Sequence, residues 1–179
     1  MRIKQKQNLE TSENLKVKNI KKGTESIKEF PQWTIRKFKS EEDYKKNNPY
    51  AVESFEGNLL TEAGADEMSK LCFGTGGTKY AFGNTYLIVG TGTGTESDQD
   101  TEATFTNGVK KLASSITYGT DKKTTIVAVF GPDDANQDWQ EFGTLNALTS
   151  GVLLNRKVIN KGTKASGDVW ELTEEISLS

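Results

Sequence analysis

The side chains able to do chemistry in this chain are mostly acids set among glycine and threonine. Two carboxylates flanking a glycosidic bond can serve as acid and as nucleophile or base. Asp133, Asp134, Asp138 and Glu141 lie close enough in sequence to raise that chemistry. Nothing in the sequence sets their separation or raises one pKa above another, so the stretch reads as a turn with an acidic surface. Asp98, Asp100 and Glu102 offer oxygen ligands at alternate positions, as calcium would need. They lack the glycine and the terminal glutamate of an EF-hand loop, so they read as solvated loop acids. Gly90-Thr91-Gly92-Thr93-Gly94-Thr95 has the glycine density of a phosphate-binding loop, but no Gly-Lys-Ser/Thr ending follows. Glu96, Asp98 and Asp100 would repel phosphate, and a flexible surface loop is expected. Trp139 and Trp170 are large enough to stack on sugars, but both sit in alternating patterns that place them in a core. Cys72, among Met68, Leu71 and Phe73, reads as a buried, reduced thiol.

Composition narrows the choice further. The chain has 179 residues, no histidine, one cysteine and three prolines. Without histidine there is no serine–histidine or cysteine–histidine pair and no HExxH zinc site. One cysteine leaves no internal disulfide. The formal charge of −2 makes no overall case for nucleic acid or an anionic membrane. A non-enzymatic binding or structural protein without cofactor or metal is expected. The length fits one domain with an appendage. MRIKQKQNLE is followed by no apolar h-region, so no export signal is read. Apolar runs such as Tyr86-Leu87-Ile88-Val89 are only strand length, and no membrane span is expected.

Charge and glycine divide the chain in two. Residues 1–50 hold 13 Lys/Arg against 7 Asp/Glu, whereas residues 51–179 hold 10 against 18. Sixteen of the 17 glycines lie at or after Gly57. The division predicts an extended basic N-terminal arm over residues 1–56 and a β-rich domain over 57–179. Up to Lys22 the arm is too poor in apolar residues to offset an ordering cost of about 1–2 kcal/mol per residue. It is therefore expected to order on a partner chain or a neighbouring subunit, with Phe30, Trp33, Ile35, Arg36 and Phe38 as its anchors. Acids Glu41, Glu42 and Asp43 interrupt the basic run of Arg36, Lys37, Lys39, Lys45 and Lys46, which argues against nucleic acid. Thr24 can cap a short helix ending at Pro31. Trp33 and Ile35 alternate as in a short strand, and Ser40 can cap one or two helical turns.

A single helix is predicted within the β-rich domain. Thr61 caps it, Ala65, Met68, Leu71 and Cys72 form its apolar stripe, and Gly74 stops it. Six strands follow, near 85–89, 111–118, 124–130, 139–145, 152–158 and 170–178. In the second, Leu112, Ser114, Ile116 and Tyr118 share a face. In the last, Trp170, Leu172, Glu174, Ile176 and Leu178 do. The fold class is mainly β (α+β): a compact antiparallel β-sandwich or barrel with one helix, preceded by the arm.

Two segments carry a resemblance. Glu56-Gly57-Asn58-Leu59-Leu60-Thr61-Glu62-Ala63-Gly64 resembles the opening of a family of small tailed-phage virion structural proteins. Trp139-Gln140-Glu141-Phe142-Gly143 with Asn146-Ala147 resembles that family's W-x-E-aromatic-G…N-A stretch. Leu154-Asn155-Arg156-Lys157, Gly162-Thr163-Lys164 and Trp170-Glu171-Leu172-Thr173 resemble its closing strands. The likeness covers about residues 55–179, and Thr144 departs from it where an aliphatic residue is the pattern. The resemblance implies a head-decoration or other auxiliary capsid protein, β-rich and trimeric, with no catalytic residues to carry over.

The expected function is capsid decoration on the virion surface. The chain would bind the major capsid protein and bridge neighbouring subunits through its arm, as a homo-oligomer. The alternative is a tail, baseplate or head-fibre module meeting host surface glycans through the 90–102 or 131–138 loop.

Overall fold

The alternation Trp170, Leu172, Glu174 puts these three side chains on one face of the last strand, and all three are buried. That strand lies at the centre of a five-stranded sheet. The computed structural model describes residues 32–119 and 121–177. In chain order the elements are β1 (Gln32–Phe38), α1 (Glu41–Lys45), β2 (Ala51–Glu56), β3 (Leu59–Leu60), α2 (Glu62–Phe73) and β4 (Tyr86–Gly90). Then come β5 (Val109–Leu112), β6 (Ser115–Tyr118), β7 (Lys123–Phe130), β8 (Glu141–Leu145), β9 (Leu153–Val158) and β10 (Val169–Ser177). The first sheet runs β2-β1-β10-β7-β6 and the second β3-β9-β8-β4-β5, and the named strand pairs are antiparallel. The two sheets form a sandwich, as the fold-class expectation had it.

The core between the sheets is aromatic. Phe142 lies 4.9 Å from the Phe55 ring and 6.0 Å from Trp33, and Trp139 meets Trp170 edge-on at 4.8 Å. Such tilted contacts add to the burial itself. Trp139 and Trp170 are thus core residues, as their alternation predicted.

The division at residue 56 is overturned. β1 hydrogen-bonds to β10 on one side and to β2 on the other, from Gln32↔Glu175 to Phe38↔Val169 and from Gln32↔Glu56 to Lys37↔Ala51. Residues 32–56 therefore belong to the sandwich. What orders them is the chain's own C-terminal strand, far along the sequence and invisible to any local reading of composition. The helix expected from Thr24 lies outside the described residues, whereas the turn capped by Ser40 is α1, with the Ser40 hydroxyl accepting from Asp43 N–H.

The stretch 111–118 is two strands. Ala113 N–H still donates to Thr85 of the second sheet, while Ser114 N–H already donates to Val127 of the first. The chain crosses the sandwich between these two residues. Leu112 and Tyr118 consequently do not share a core face, and both are exposed.

Helix α2 has the predicted ends: Thr61 Oγ1 accepts from Gly64 N–H, and Gly74 closes it at φ +67°. Its packed face differs. Gly64 and Glu67 are buried, while Ala65 and Cys72 are exposed. A Cβ at Gly64 would lie 2.5 Å from the Leu154 carbonyl oxygen, so the missing side chain lets the helix sit directly on the β9 backbone. That close approach turns the helix by about one residue from the apolar stripe, and it leaves Cys72 in solvent instead of buried.

Candidate functional site

The expected partner anchors do not form a docking surface. Trp33, Ile35 and Phe38 are fully buried in the chain's own structure, and Phe30 lies outside the described residues. Arg36 reaches Glu171 at 2.8 Å and also donates to Asn47. The other basic residues of this stretch are likewise held by carboxylates: Lys37 by Glu53 at 2.6 Å, Lys39 by Asp168 at 3.5 Å, Lys45 by Glu41 at 3.9 Å and Lys46 by Glu42 at 2.6 Å. Lys37 is itself buried, over the Trp170 ring at 4.3 Å. Charges committed in this way do not present a continuous basic patch.

The acids are not gathered into one centre. Asp134 sits in the 131–138 loop, 2.5 Å from Lys111 and accepting from Gly131 N–H at 2.8 Å. The Lys111 hydrogen bond holds its carboxyl below the ordinary value of 3.8, against the opposing effect of burial. Asp138 accepts from the Thr163 hydroxyl, and Asp133 is exposed. Lys164 closes the same loop from inside: its Nζ donates to Gly131 O and Asn136 Oδ1, each at 2.7 Å. Burial lowers the pKa of this lysine, though the nearby aspartates oppose the shift. Glu102 pairs with Lys110. Among the described residues no three His, Cys, Asp or Glu side chains are placed to hold a metal ion.

The lowered Asp134 value fixes a pH dependence. A depressed carboxylate contributes stability above its unfolded value, and that contribution disappears as pH falls through the folded value. Asp134→Asn should therefore lower the urea midpoint at pH 7, and the gap from wild type should narrow as pH falls below the ordinary value of 3.8. Both partners are about one-third exposed, so the effect at pH 7 is below about 1 kcal/mol. A gap that stays the same as pH falls would refute the ionic assignment.

Glu141 and Asp100 leave the surface altogether. Glu141, expected as a surface acid, is fully buried, and Asp100 nearly so. Both meet the buried Arg156 of β9: Nη1 donates to Asp100 Oδ2 at 2.8 Å, and Nη2 donates to Glu141 Oε1. Burial alone would lower the arginine pKa, but the hydrogen bonds and charges of the two carboxylates outweigh it and raise it. The second Glu141 oxygen accepts from Gly92 N–H at 2.6 Å and Thr106 N–H at 2.9 Å. Asp100 also accepts from Ser97 N–H at 2.8 Å. One arginine and two acids thus tie the 91–108 connection to strands β8 and β9. The glycine run expected to be a flexible loop is clamped in its first half: a Cβ at Gly92 would fall 2.5 Å from the Glu141 carboxylate. Glycine is needed there because the carboxylate occupies the side-chain space.

A second buried carboxylate joins the two sheets. Glu174 of β10 accepts from Asn155 Nδ2 of β9 at 2.6 Å and from the Thr144 hydroxyl of β8. Thr144 stands in place of an aliphatic residue because it supplies a donor to this acid. A third, Glu67 of α2, accepts from Thr78 N–H and from Asn146 Nδ2 at 3.2 Å, and Asn146 Oδ1 accepts from Val152 N–H at 2.8 Å. Glu141, Asn146, Asn155 and Arg156, which lie in the segments quoted for the sequence resemblance, all belong to this internal framework.

The fold and these contacts define a class: an antiparallel sandwich whose charged residues brace its loops from within. Compared with protein-family models, characterised proteins and solved structures, the chain finds no match. Among the described residues no helix is long and apolar enough to cross a membrane. Several large apolar side chains are exposed as well, Phe73, Tyr118, Phe82, Val52 and Leu148 more than the others.

Proposed function

We propose that this chain is a non-catalytic phage virion structural protein of the capsid-decoration type. It binds the major capsid protein as a homotrimer on the virion surface and bridges neighbouring subunits. The observation that carries this reading is the fate of the residues that resemble the phage family. Arg156, Glu141, Asn146 and Asn155 are buried and spent on internal bracing. A pattern used in this way marks a rigid scaffold, and a shell-binding protein needs rigidity more than chemistry. Because residues 32–56 are within the sandwich, the bridging role passes to residues 1–31, which hold eight Lys/Arg against four Asp/Glu.

The test is co-sedimentation with phage capsids lacking the protein, comparing the full chain with one beginning at Gln32, at low and high salt. Saturable binding of the full chain, weakened at least about tenfold by the truncation and by salt, supports a tethered shell-binding protein. Equal binding by both chains overturns the bridging role of residues 1–31. No binding by either overturns decoration and favours the glycan-binding alternative on tail or fibre.

A further inference from the structure

Lys164 is buried without the carboxylate partners that brace Arg156. It is only 1% exposed, and its Nζ donates to two neutral oxygens, Gly131 O and Asn136 Oδ1, each at 2.7 Å. An ammonium moved from water to such a place is costly, so burial favours the neutral amine and lowers the pKa. A neutral, desolvated lysine is a nucleophile. The electrophile beside it is the Asn136 amide.

The two side chains come from different connections, Asn136 from the one between β7 and β8 and Lys164 from the one between β9 and β10. Backbone contacts hold these connections in register. Lys164 N–H donates to Gln137 O at 3.0 Å, and Gly167 N–H donates to Pro132 O at 3.1 Å. The amide is held as well, with Asn136 Nδ2 donating to Pro132 O at 2.8 Å. Ala135, just before it, is buried in the left-handed region at φ +47°, a conformation that persists only where surrounding contacts impose it. Nζ lies 2.7 Å from Oδ1. With a C=O bond of about 1.2 Å, this places the amide carbon about 3.0–3.7 Å from Nζ at ordinary acceptor angles. Reacting atoms about 3–3.5 Å apart are poised for attack. Rotation about the Asn136 Cβ–Cγ bond, a broad torsion, turns the amide face to the amine.

We propose that Lys164 and Asn136 join in an intramolecular isopeptide bond. Nζ attacks the Asn136 carbonyl carbon, the Nζ–Cγ bond forms, the Cγ–Nδ2 bond breaks and ammonia leaves. One amine proton passes to the departing nitrogen, so no oxidant or other reactant is consumed. Asp168 carries that proton. It is nearly buried, it follows Gly167 on the segment that meets Pro132, and its charge acts on Lys164 more than that of Asp134 or Asp133. Asn136 is exposed, so ammonia departs directly into water. The bond ties together two connections that each pass between the sheets. This inference stands apart from the functional reading above, since it needs only one folded chain.

Peptide mapping of the full-length protein by mass spectrometry tests it. After incubation of the folded protein at mildly alkaline pH to constant mass, the intact chain should be lighter than its sequence by one ammonia. Digestion should release a branched peptide holding Asn136 and Lys164. Lys164→Arg and Asn136→Ala should each restore the full mass. Asp168→Asn should slow the appearance of the branched peptide at least about tenfold. Full mass, with Asn136 and Lys164 in separate linear peptides, would overturn the proposal. So would a lost ammonia that maps to Asn107-Gly108, where the following glycine favours a succinimide. Linking at an unchanged rate in Asp168→Asn would overturn the role of Asp168. Circular dichroism checks the sandwich in each variant, and the map of the unaltered chain decides the matter even where a variant fails to fold.

Discussion

A chain that begins at Phe55 is expected to show no cooperative unfolding transition, while one that begins at Gln32 keeps it. The first truncation removes β1 and nearly all of β2, and with them the hydrogen-bonding partner of the central strand β10. It also removes Trp33 and Ile35, both fully buried in the inter-sheet core. A milder probe makes the same point. Trp33 stacks on Phe55 at 6.1 Å between ring centres and tilts against Phe142 at 6.0 Å. Trp33→Ala empties that space, and such truncations cost about 3–5 kcal/mol. Against a typical total of about 5–15 kcal/mol, this is a large fraction of the stability. Denaturant unfolding followed by far-UV circular dichroism measures both. A surface-anchor role for Trp33 would instead leave the midpoint of the isolated protein unchanged, and that outcome would contradict the position of β1.

The second large effect is expected at Arg156. Arg156→Met leaves the Glu141 and Asp100 carboxylates buried without their cation. Breaking a buried ion pair from one side costs about 3–5 kcal/mol, because a charge remains in a site that cannot solvate it. The neighbouring pair provides the comparison. Lys157 and Glu96 lie 3.4 Å apart with both side chains about a quarter exposed, so Lys157→Met should cost less than about 1 kcal/mol. The damage at Arg156 should also be local before it is global. The 91–108 connection is held by Gly92 and Thr106 N–H groups on the same glutamate, so limited proteolysis should cut first within it. Combining Arg156→Met with Glu141→Gln should cost less than the sum of the two single changes, because they remove the same interaction. Strict additivity would show that the pair is not coupled.

Local sequence patterns were enough to specify the secondary-structure class and much of its punctuation. Period-two alternation marked β10, and Thr61 with Gly74 bracketed α2, because caps and alternation are local physics. Trp139 and Trp170 were also legible as core residues, since their neighbours repeat at strand spacing. Where the domain begins was a matter for long-range contacts. Basic, glycine-poor residues 32–56 look like a separate material, yet β1 finds its hydrogen bonds on a strand near the other end of the chain. No local pattern encodes a partner at that distance. The same holds for the crossing at Ala113–Ser114, where one apparent strand serves two sheets. It holds most of all for the acids. Glu141 and Asp100 read as solvated groups because a carboxylate alone belongs in water, and Glu174 shared the apolar face of its strand with no visible partner. They are buried because Arg156, Asn155, Thr144 and three backbone N–H groups converge on them from distant regions of the chain. Burial of a charge depends on its whole set of partners, and that set exists only after the chain has folded.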